Sequence, residues 1–336
     1  MKLLVLGGTQ FLSRAVAADA VARGHDVSCA ARGVTGPVPE GAQHVHLDRS
    51  SPDWTPLQEE WDAVVDVARS PTWVAEALDA LAERVGHWTF VSSISVYADH
   101  TTPHGTPESL PLLEPLADGP EEDPDAYGAA KVACEQRVQA RAQHSLVVRP
   151  GLIIGPGDPS GRFTYWAERL AEGGDVLLPE SPDRDTQTID VRDLAAWVVS
   201  CAEERRTGVY DATGPVVRLG DLVDEVVAAV GGRPAGAGPA QPWATQVWAP
   251  ADFLLERGVD YWAGPRSLPL WLPEDMRGMT SHDVGAAIAA GLRTRPVGHT
   301  AADTLAWLQA NPEAPRTGLT RAEEQDLLDD WHTIRA

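Results

Sequence analysis

Tyr127 and Lys131 lie four residues apart in the segment DAYGAAKVACEQRVQARA, whose spacing of apolar residues predicts a helix. Residues four apart share one face of a helix, so the lysine ammonium group is expected beside the phenol. A free tyrosine has a pKa of about 10, and a neighbouring cation favours its phenolate. The pair therefore predicts a tyrosine that exchanges a proton with a hydroxyl or carbonyl group, although such a spacing also arises by chance.

A third polar group follows a predicted strand. The segment VSSISVY covers residues 91–97, and Ser92 and Ser93 end its apolar run. Ligands of open parallel sheets bind at the carboxyl ends of the strands, where a hydroxyl can hydrogen-bond an oxygen whose charge changes. Ser93 is therefore the predicted third member of the site, and a serine turn that merely ends the strand is the alternative.

The elements that must position these residues alternate between strand and helix. The opening MKLLVLGG, the helical TQFLSRAVAADAVARG and the apolar HDVSCAAR form a strand–helix–strand unit typical of a parallel sheet. Further strands are predicted at HVHLD, WDAVVDVA, WTFVSS and SLVVRP, and GVYDATG is a candidate for one more. The pattern predicts an α/β fold with a doubly wound parallel sheet.

The alternation of predicted strands and helices changes after Pro150. A loop rich in glycine and proline, GLIIGPGDPSGR, comes first, and from residue 215 the chain is rich in tryptophan and proline. We expect a sheet domain at 1–150 plus about 191–214, a smaller substrate domain at 151–190 and 215–312, and a helical tail at 313–336. Residues 232–242 are interpreted as a flexible connector and the acidic stretch 322–330 as a solvated helix face.

The turn from Gly7 to Leu12 joins the first strand to the first helix. Backbone N–H groups and the positive end of a helix suit a diphosphate there, although any such turn favours glycine. An acidic residue at the end of the second strand would favour NAD, but Ala31 and Arg32 stand there instead. The Arg32 guanidinium could grip a 2′-phosphate, which favours NADP(H), with NAD(H) as the other option and a solvated arginine as the plain alternative.

Composition excludes several other classes. The chain has 336 residues, 27 Lys and Arg, 49 Asp and Glu, and a net charge of −22, which repels nucleic-acid phosphates. No apolar run is long enough to span a membrane, and the chain goes from Met1 and Lys2 directly into a predicted strand. The three scattered cysteines and the isolated pair His44 and His46 predict neither disulfides nor a metal site. We expect a cytoplasmic enzyme that takes a small-molecule substrate, with no nucleic-acid or membrane partner.

Five segments together resemble the extended short-chain dehydrogenases/reductases, in the NAD(P)-dependent epimerase/dehydratase group: GGTQFLS, VSSISVY, YGAAK, RPGLIIGPGD and QTIDVRDLA. The resemblance covers about residues 1–215, weakens towards about 310, and points to an atypical branch that begins GGTxF. It implies a Rossmann domain with a smaller carboxyl-terminal substrate domain. It also implies that Ser93 positions the substrate oxygen, Tyr127 is the acid/base, and Lys131 holds the nicotinamide ribose.

The same resemblance implies a set of cofactor-binding and substrate-binding positions. The cofactor set comprises Gly7, Thr9, Gln10, Phe11, Leu12, Arg32, Asp48, Arg49, Val67, Ala68, Arg69, Lys131 and Pro150. Within that set, Asp48 and Arg49 would flank the adenine, and Pro150 would lie near the nicotinamide. The substrate set comprises Ser95, Phe163, Trp166 and Gln187, although aromatic residues at helical spacing more often belong to the core than to a ligand pocket.

Departures from the family pattern reduce the number of reactions that the chain is expected to catalyse. Of the three fingerprint glycines in G-x-x-G-x-x-G only Gly7 is present, with Gln10 and Ser13 at the other two positions. Ile94 and Ser95 stand where sugar-nucleotide dehydratases carry an Asp-Glu pair, which argues against dehydration. Leu152 and about Thr186 replace the Asn and Arg that hold the nucleotide in sugar-nucleotide epimerases.

The predicted function is an NAD(P)-dependent oxidoreductase that transfers hydride to or from a carbonyl or alcohol of a small molecule, as a reductase. An NAD-dependent sugar-type epimerase and a non-catalytic NAD(P)-binding regulatory protein are the alternatives. A homodimer through the helix of Tyr127 is also considered, although the outer positions of that helix are polar.

Overall fold

The computed structural model describes residues 1–116, 123–231 and 243–335, so the predicted connector at 232–242 lies outside the described residues. The chain forms two compact units. The first unit consists of Met1–Leu152, Val191–Gly214 and His282–Thr294. The second unit consists of Ile153–Asp190, Pro215–Ser281 and Arg295–Ala336.

The strands follow one another in chain order. They are β1 (Lys2–Leu6), β2 (Asp26–Ala31), β3 (Gln43–His46), β4 (Ala63–Asp66), β5 (Trp88–Val91), β6 (Ser145–Pro150), β7 (Leu152–Ile154), β8 (Gly174–Pro179), β9 (Asp185–Thr186), β10 (Thr188–Asp190), β11 (Gly208–Ala212), β12 (Val217–Arg218), β13 (Ala244–Ala249), β14 (Asp260–Trp262) and β15 (Ser267–Pro269).

The α-helices alternate with these strands. They are α1 (Phe11–Ala22), α2 (Pro71–Leu81), α3 (Tyr127–Arg141), α4 (Arg162–Glu172), α5 (Val191–Glu203), α6 (Leu219–Val230), α7 (Ala251–Glu256), α8 (Gly285–Ala289), α9 (Val297–Ala310) and α10 (Arg321–Arg335).

A seven-stranded sheet of order β11-β6-β5-β4-β1-β2-β3 organises the first unit, and every strand pair in it is parallel. The central strands are apolar because both of their faces are covered, and Leu3, Leu4 and Val5 are fully buried. The helices α1 and α5 pack together, as do α2 and α3, and both pairs contact the sheet. This confirms the predicted doubly wound α/β fold, with GVYDATG as the seventh strand.

The strand order reverses between β1 and β4, and such a reversal leaves a crevice at the carboxyl ends of the two strands. The turn that begins at Gly7 follows β1, and Val67 follows β4. A Cβ added to Gly7 would lie 3.5 Å from Cγ2 of Val67, so these two strand ends are in close contact. The topology therefore places the glycine turn at the ligand-binding position of this fold class.

The segment His282–Thr294 returns to the first unit, which the sequence did not predict. Its helix α8 contacts β11, and the indole of Trp197 on α5 donates to the Ala290 carbonyl at 3.0 Å. The Asp283 N–H donates to the Gly105 carbonyl at 3.0 Å. The first unit is thus assembled from three separate stretches of the chain.

In the second unit, α4, α6 and α9 pack together, β8 pairs in parallel with β13, and β9 pairs antiparallel with β12. The interpretation of residues 322–330 as a solvated face is wrong for Glu324, which is 1% exposed. Its carboxylate accepts from the Leu177 N–H at 3.0 Å and forms an ion pair with Arg169. Glu324 is buried because one face of α10 packs against β8, although the rest of this helix is acidic.

Candidate active site

Lys131 is fixed at the ends of two neighbouring strands of the first unit. Its Nζ donates to the Val91 carbonyl at 2.7 Å and to the Ala68 carbonyl at 2.7 Å, and the side chain is almost fully buried. Val91 is the last residue of β5, and Ala68 comes two residues after β4. The ammonium group therefore lies at the carboxyl edge of the sheet, where the fold places ligands.

Burial lowers the pKa of Lys131 to about 8, and the nearby Arg69 also lowers it. Cys134, Asp66 and Glu135 partly oppose this effect. The ammonium form is therefore retained at neutral pH but lost under mildly alkaline conditions, earlier than for a solvent-exposed lysine.

Ser93 shapes the turn that follows β5. Its hydroxyl accepts from the Ser95 N–H at 3.1 Å and donates to the Ser95 hydroxyl at 3.1 Å. Ser93 thereby caps the short 3-10 turn Ile94–Val96. The predicted catalytic residue Ser93 and the predicted substrate residue Ser95 are thus held together, two to four residues beyond the strand end.

The start of α3 lies directly against this serine turn. A Cβ added to Gly128 would lie only 2.1 Å from the Ser95 carbonyl oxygen, so only glycine allows this approach. Tyr127, the first residue of α3, is half-buried, and the Arg69 guanidinium carbon lies 5.9 Å from its ring centroid. The helix that carries Tyr127 and Lys131 thus packs against the turn that carries Ser93, and these are the three residues that the sequence predicts to be catalytic.

The glycine turn keeps its shape although two fingerprint glycines are replaced. Gly8 has a φ of +101°, and a Cβ there would lie 2.4 Å from Sγ of Cys29 on β2. The Ser13 hydroxyl accepts from the Gly8 N–H at 3.0 Å and donates to the Gln10 carbonyl at 2.9 Å. A side chain at the position of the third glycine thus closes the turn through two hydrogen bonds.

The helix start after this turn has the features of an anion site. Gln10 precedes α1, is exposed, and provides no side-chain cap. The first N–H groups of a helix have no intrahelical partner, and they carry the positive end of the helix dipole. Phe11 adopts a φ of +39°, a left-handed conformation uncommon for a residue with a side chain. The residues present therefore fit the diphosphate of a dinucleotide.

Thr9 and Leu12 have different roles in this turn. The Thr9 hydroxyl lies 2.7 Å from the Thr35 hydroxyl, which ties the turn to the loop after β2. Leu12 is buried and packs into the core of the first unit. Thr9 therefore connects the turn to a neighbouring loop, whereas Leu12 belongs to the core.

Arg32 lies at the end of β2 and is exposed. Asp48 lies close enough for the Arg32 charge to affect it. Hydrogen bonds from the Ser50 hydroxyl and N–H lower the pKa of Asp48, and the charges of Arg32 and His46 lower it further. The loop that follows Arg32 borders a hollow of about 460 Å³, which is lined by Gly33, Val34, Gly36, Pro37, Val38 and His44.

Arg49 contacts protein groups of its own unit. Its guanidinium donates to the Trp73 carbonyl, lies 3.7 Å from the Asp66 carboxylate, and stacks over the rings of Trp54 and Trp73. Asp66 is fully buried at the end of β4. These contacts join Arg49 to β4, the strand whose end also receives Lys131.

A buried polar network that sequence reasoning missed adjoins the site. Arg149 binds both carboxylate oxygens of Glu135, at 2.9 and 2.6 Å, and donates to the Tyr97 hydroxyl at 2.9 Å. The Tyr97 hydroxyl donates to Asp211 at 2.7 Å, and Nδ1 of His282 lies 3.0 Å from the other Asp211 oxygen. Burial, and then the Asp211 charge, raise the pKa of Tyr97.

The position of this network connects it to the predicted catalytic residues. Glu135 lies one helical turn after Lys131, and Tyr97 directly follows the serine turn. The sequence held a signal for two members of the network. Glu135 lies four residues after Lys131, and Tyr97 is the last residue of VSSISVY. Nothing in the sequence pointed to His282.

Three predicted substrate residues belong to the second unit and are buried there. Phe163 and Trp166 on α4 are at most 1% exposed, and the Trp166 indole donates to the Pro269 carbonyl at 2.8 Å. Gln187, between β9 and β10, is 2% exposed. For the two aromatic residues the structure favours the core role that the sequence left open. Pro150 is likewise buried, at the end of β6 in the first unit.

In the described ranges 1–116, 123–231 and 243–335, the structure has neither a cluster of metal-binding residues nor a membrane-spanning helix. No group of three or more His, Cys, Asp or Glu residues there could hold a metal ion. No helix in these ranges has both the length and the apolar character needed to cross a bilayer.

A parallel, doubly wound sheet with a glycine turn at a helix start is typical of dinucleotide-binding α/β proteins. The sequence model of the NAD dependent epimerase/dehydratase family matches residues 3–212. The chain therefore belongs to this family, which confirms the resemblance predicted from its motifs. It is an NAD-dependent enzyme of the short-chain dehydrogenase/reductase superfamily.

Two curated relatives cover most of the chain. The 2'-dehydrokanamycin reductase of Streptomyces kanamyceticus is 28% identical over 273 residues, which is 76% of this chain and 74% of the relative. The chloroplast stem-loop binding protein of 41 kDa b from Arabidopsis thaliana is 24% identical over 255 residues, which is 69% of this chain and 64% of the relative. The chain is thus similar both to a reductase and to a stem-loop binding protein.

Solved structures match the fold along nearly the whole chain. The UDP-glucuronic acid 4-epimerase of Bacillus cereus, crystallised in complex with NAD, superposes with a TM-score of 0.62 at 15% identity. The match covers 94% of this chain and 98% of that protein. At this identity the likeness establishes the fold.

Proposed function

We infer that this protein reduces a carbonyl group of a small molecule with NADPH, through Ser93, Tyr127 and Lys131. One observation carries the proposal: Lys131 joins the ends of β4 and β5, while the helix start that bears Tyr127 rests on the Ser93 turn. Three groups of the types needed to handle a proton at a carbonyl oxygen therefore meet at one edge of the sheet.

Each residue has a distinct role in this proposal. Tyr127 donates a proton to the carbonyl oxygen as it becomes a hydroxyl, and the Lys131 charge favours the phenolate that remains. The Ser93 hydroxyl, already oriented by Ser95, hydrogen-bonds the same oxygen. A bound nicotinamide ring supplies the hydride. Lys131 and the α1 start are the groups of the chain that would hold the cofactor.

The preference for NADP(H) rests on Arg32. Its exposed guanidinium follows β2, the strand that carries the adenosine side of a dinucleotide in this fold class, and no acidic residue replaces it there. A bidentate contact between a guanidinium and a phosphate is a strong charge-assisted interaction. We further propose that the first unit binds the cofactor and the second unit supplies substrate contacts, with Gln187 among them.

Support for net reduction comes from the reductase relative, whose name states a 2'-dehydro substrate. The test is to follow NADPH and NADH consumption with a panel of ketones that includes 2'-dehydrokanamycin, and to repeat it with Tyr127→Phe. Consumption by the wild type alone supports the proposal. No turnover of any panel member by the wild type, with the cofactor bound, would count against it.

The second candidate is an epimerase, which the family description and the UDP-glucuronic acid 4-epimerase neighbour favour. Leu152 and Thr186 lack the amide and guanidinium groups that would grip a nucleotide sugar. An epimerase would convert a hydroxy substrate into its isomer without net cofactor consumption. Product analysis by chromatography separates the two reactions.

A nucleic-acid-binding role, as in the chloroplast relative's name, is opposed by the net charge of −22. We propose that the enzyme acts in the cytoplasm, in keeping with three buried free cysteines. A homodimer through α3 would have to bury the exposed Gln136, Gln139 and Arg141, so we expect only weak association. Sedimentation at micromolar concentration checks this.

A further inference from the structure

Arg69 is anchored on both sides of its backbone by α3. The carbonyl of the preceding Ala68 accepts from Lys131 Nζ at 2.7 Å, and the Arg69 carbonyl lies 3.9 Å from the Cys134 thiol. Lys131 and Cys134 lie on the same helix that begins at Tyr127. The position of the arginine backbone relative to the tyrosine is therefore fixed by the helix itself.

The side chain of Arg69 lies over the Tyr127 ring. Its guanidinium carbon is 5.9 Å from the ring centroid, and the residue is exposed. Across residues 1–116, 123–231 and 243–335, no carboxylate lies within ion-pair distance of Arg69. Its positive charge is thus available to the phenol and is not neutralised by a described acidic partner.

Lys131, the other cation near Tyr127, is charged over a limited range of pH. Lys131 gives two of its hydrogen bonds to backbone carbonyls, and its pKa of about 8 means that its charge is lost as the pH rises. An arginine stays protonated throughout the range in which proteins are folded. The charged or titratable groups that act on Lys131 are Cys134, Asp66, Arg69 and Glu135, and of these only Arg69 is a cation.

We propose that Arg69 is a positioning residue that stabilises the phenolate of Tyr127 across the ring contact, as a second and permanent cation beside Lys131. The inference rests on the proposed function in one respect, that Tyr127 is the acid/base. It assigns to Arg69 a role towards the tyrosine in addition to lying along the cofactor.

The test is a spectroscopic titration of the phenolate absorbance without cofactor or substrate. The chain has five tyrosines, so the Tyr127 signal is the difference between each variant and the same variant carrying Tyr127→Phe. Removing a unit charge about 6 Å away should raise the Tyr127 midpoint by about 0.5–2 pH units in Arg69→Gln. Arg69→Lys keeps a cation and should retain at least half of the wild-type effect.

The matched control is Arg141→Gln, which removes an exposed arginine from the far end of the same helix, where it pairs with Asp79 at 3.1 Å. Its Tyr127 midpoint should equal that of the wild type. An unchanged midpoint in Arg69→Gln, or the same shift in Arg141→Gln, would overturn the proposal. If Arg69→Gln does not fold, Arg69→Met, which also removes the charge but keeps an unbranched side chain, provides the same test.

The titration also separates this inference from the proposed function. Failure of every ketone to turn over would refute the reductase proposal while leaving the titration shift intact. Where turnover is measurable, the pH profile of kcat/KM in Arg69→Gln should move in the same direction as the titration, and cofactor affinity should change less than kcat. A purely structural role of Arg69 would leave both the titration midpoint and the pH profile unmoved.

Discussion

Two turns at the carboxyl edge of the same sheet depart from the family pattern to very different degrees. The turn after β1 has lost two of the three family glycines, yet Ser13 closes it through Gly8 and Gln10. The turn after β5 keeps Ser93, and the helix that rests on it keeps Tyr127 and Lys131. Each turn depends on a glycine whose Cβ would collide with a neighbour: Gly8 lies in the first turn, and Gly128 lies at the start of α3, against the second.

The difference follows from what each turn offers a ligand. The first turn offers backbone N–H groups, which any residue except proline supplies, so its side chains can change while the path of the chain is kept. The second turn offers a hydroxyl, a phenol and an ammonium group, none of which has a chemical substitute among the backbone groups. Substitutions should therefore reduce affinity at the first turn and turnover at the second.

The largest effect is expected from Tyr127→Phe. The change removes the proton-donating hydroxyl but keeps the ring against Arg69, so turnover should fall by about 10²–10⁴-fold. Cofactor affinity, measured by fluorescence transfer from the tryptophans, should stay within about twofold, because the variant keeps Lys131 and the α1 start, the groups proposed to hold the cofactor. Full activity in this variant would show that the side chains at the second turn do not supply the proton.

Lys131 should make the free energy of unfolding depend on pH, because burial lowers the pKa of its ammonium group in the folded chain. Its folded pKa of about 8 lies below the unfolded value of 10.5, so the unfolded chain binds more protons between those pH values. The free energy of unfolding should therefore rise by up to about 3 kcal/mol from pH 8 to pH 10.5.

The measurement is denaturant unfolding of the wild type and Lys131→Met at both pH values. The variant has no titrating group at this position and should lack the rise. Parallel curves for the two proteins would show that the Lys131 ammonium is not held in the buried position that the two carbonyl contacts indicate.

Arg32→Ala should weaken NADPH binding by about 10- to 100-fold and leave NADH binding nearly unchanged, since a bidentate contact to phosphate contributes roughly 1.5–3 kcal/mol. Dissociation constants for both cofactors, before and after the change, provide the measurement. Arg141→Gln serves as a charge-matched control on another face of the first unit. Equal loss of affinity for NADH and NADPH would assign Arg32 to the structure of the loop.

The smallest effect is expected from Ser13→Ala. Loss of the hydroxyl removes the two hydrogen bonds that close the first turn, each contributing about 0.5–1.5 kcal/mol. Cofactor affinity should fall by about 3- to 30-fold while kcat changes less than twofold. A loss of kcat as large as that of Tyr127→Phe would contradict the view that the first turn acts in cofactor binding and the second in turnover.

The sheet, and the shared helix that carries Tyr127 and Lys131, could be predicted because their signals are local. Each parallel strand reads as a short apolar run, and Tyr127 and Lys131 share a helix face at a fixed spacing. The strands β8 and β13 were missed because their pairing joins segments about 70 residues apart, and neither carries a long run of its own. Arg49 shows the same limit, since only the fold reveals that Asp66, Trp54 and Trp73 surround it.

The return of residues 282–294 to the first unit has a consequence for how the protein is made. On the ribosome, all seven strands of the large sheet are synthesised once β11 emerges, and the buried Asp211 then has the Tyr97 hydroxyl as a partner but not yet His282. His282 follows 71 residues later, which at 5–20 residues per second is a delay of about 4–14 s. Through that interval the nascent amino-terminal unit holds an acidic group in its interior without its second partner. Its completion must therefore wait until much of the other unit has been translated.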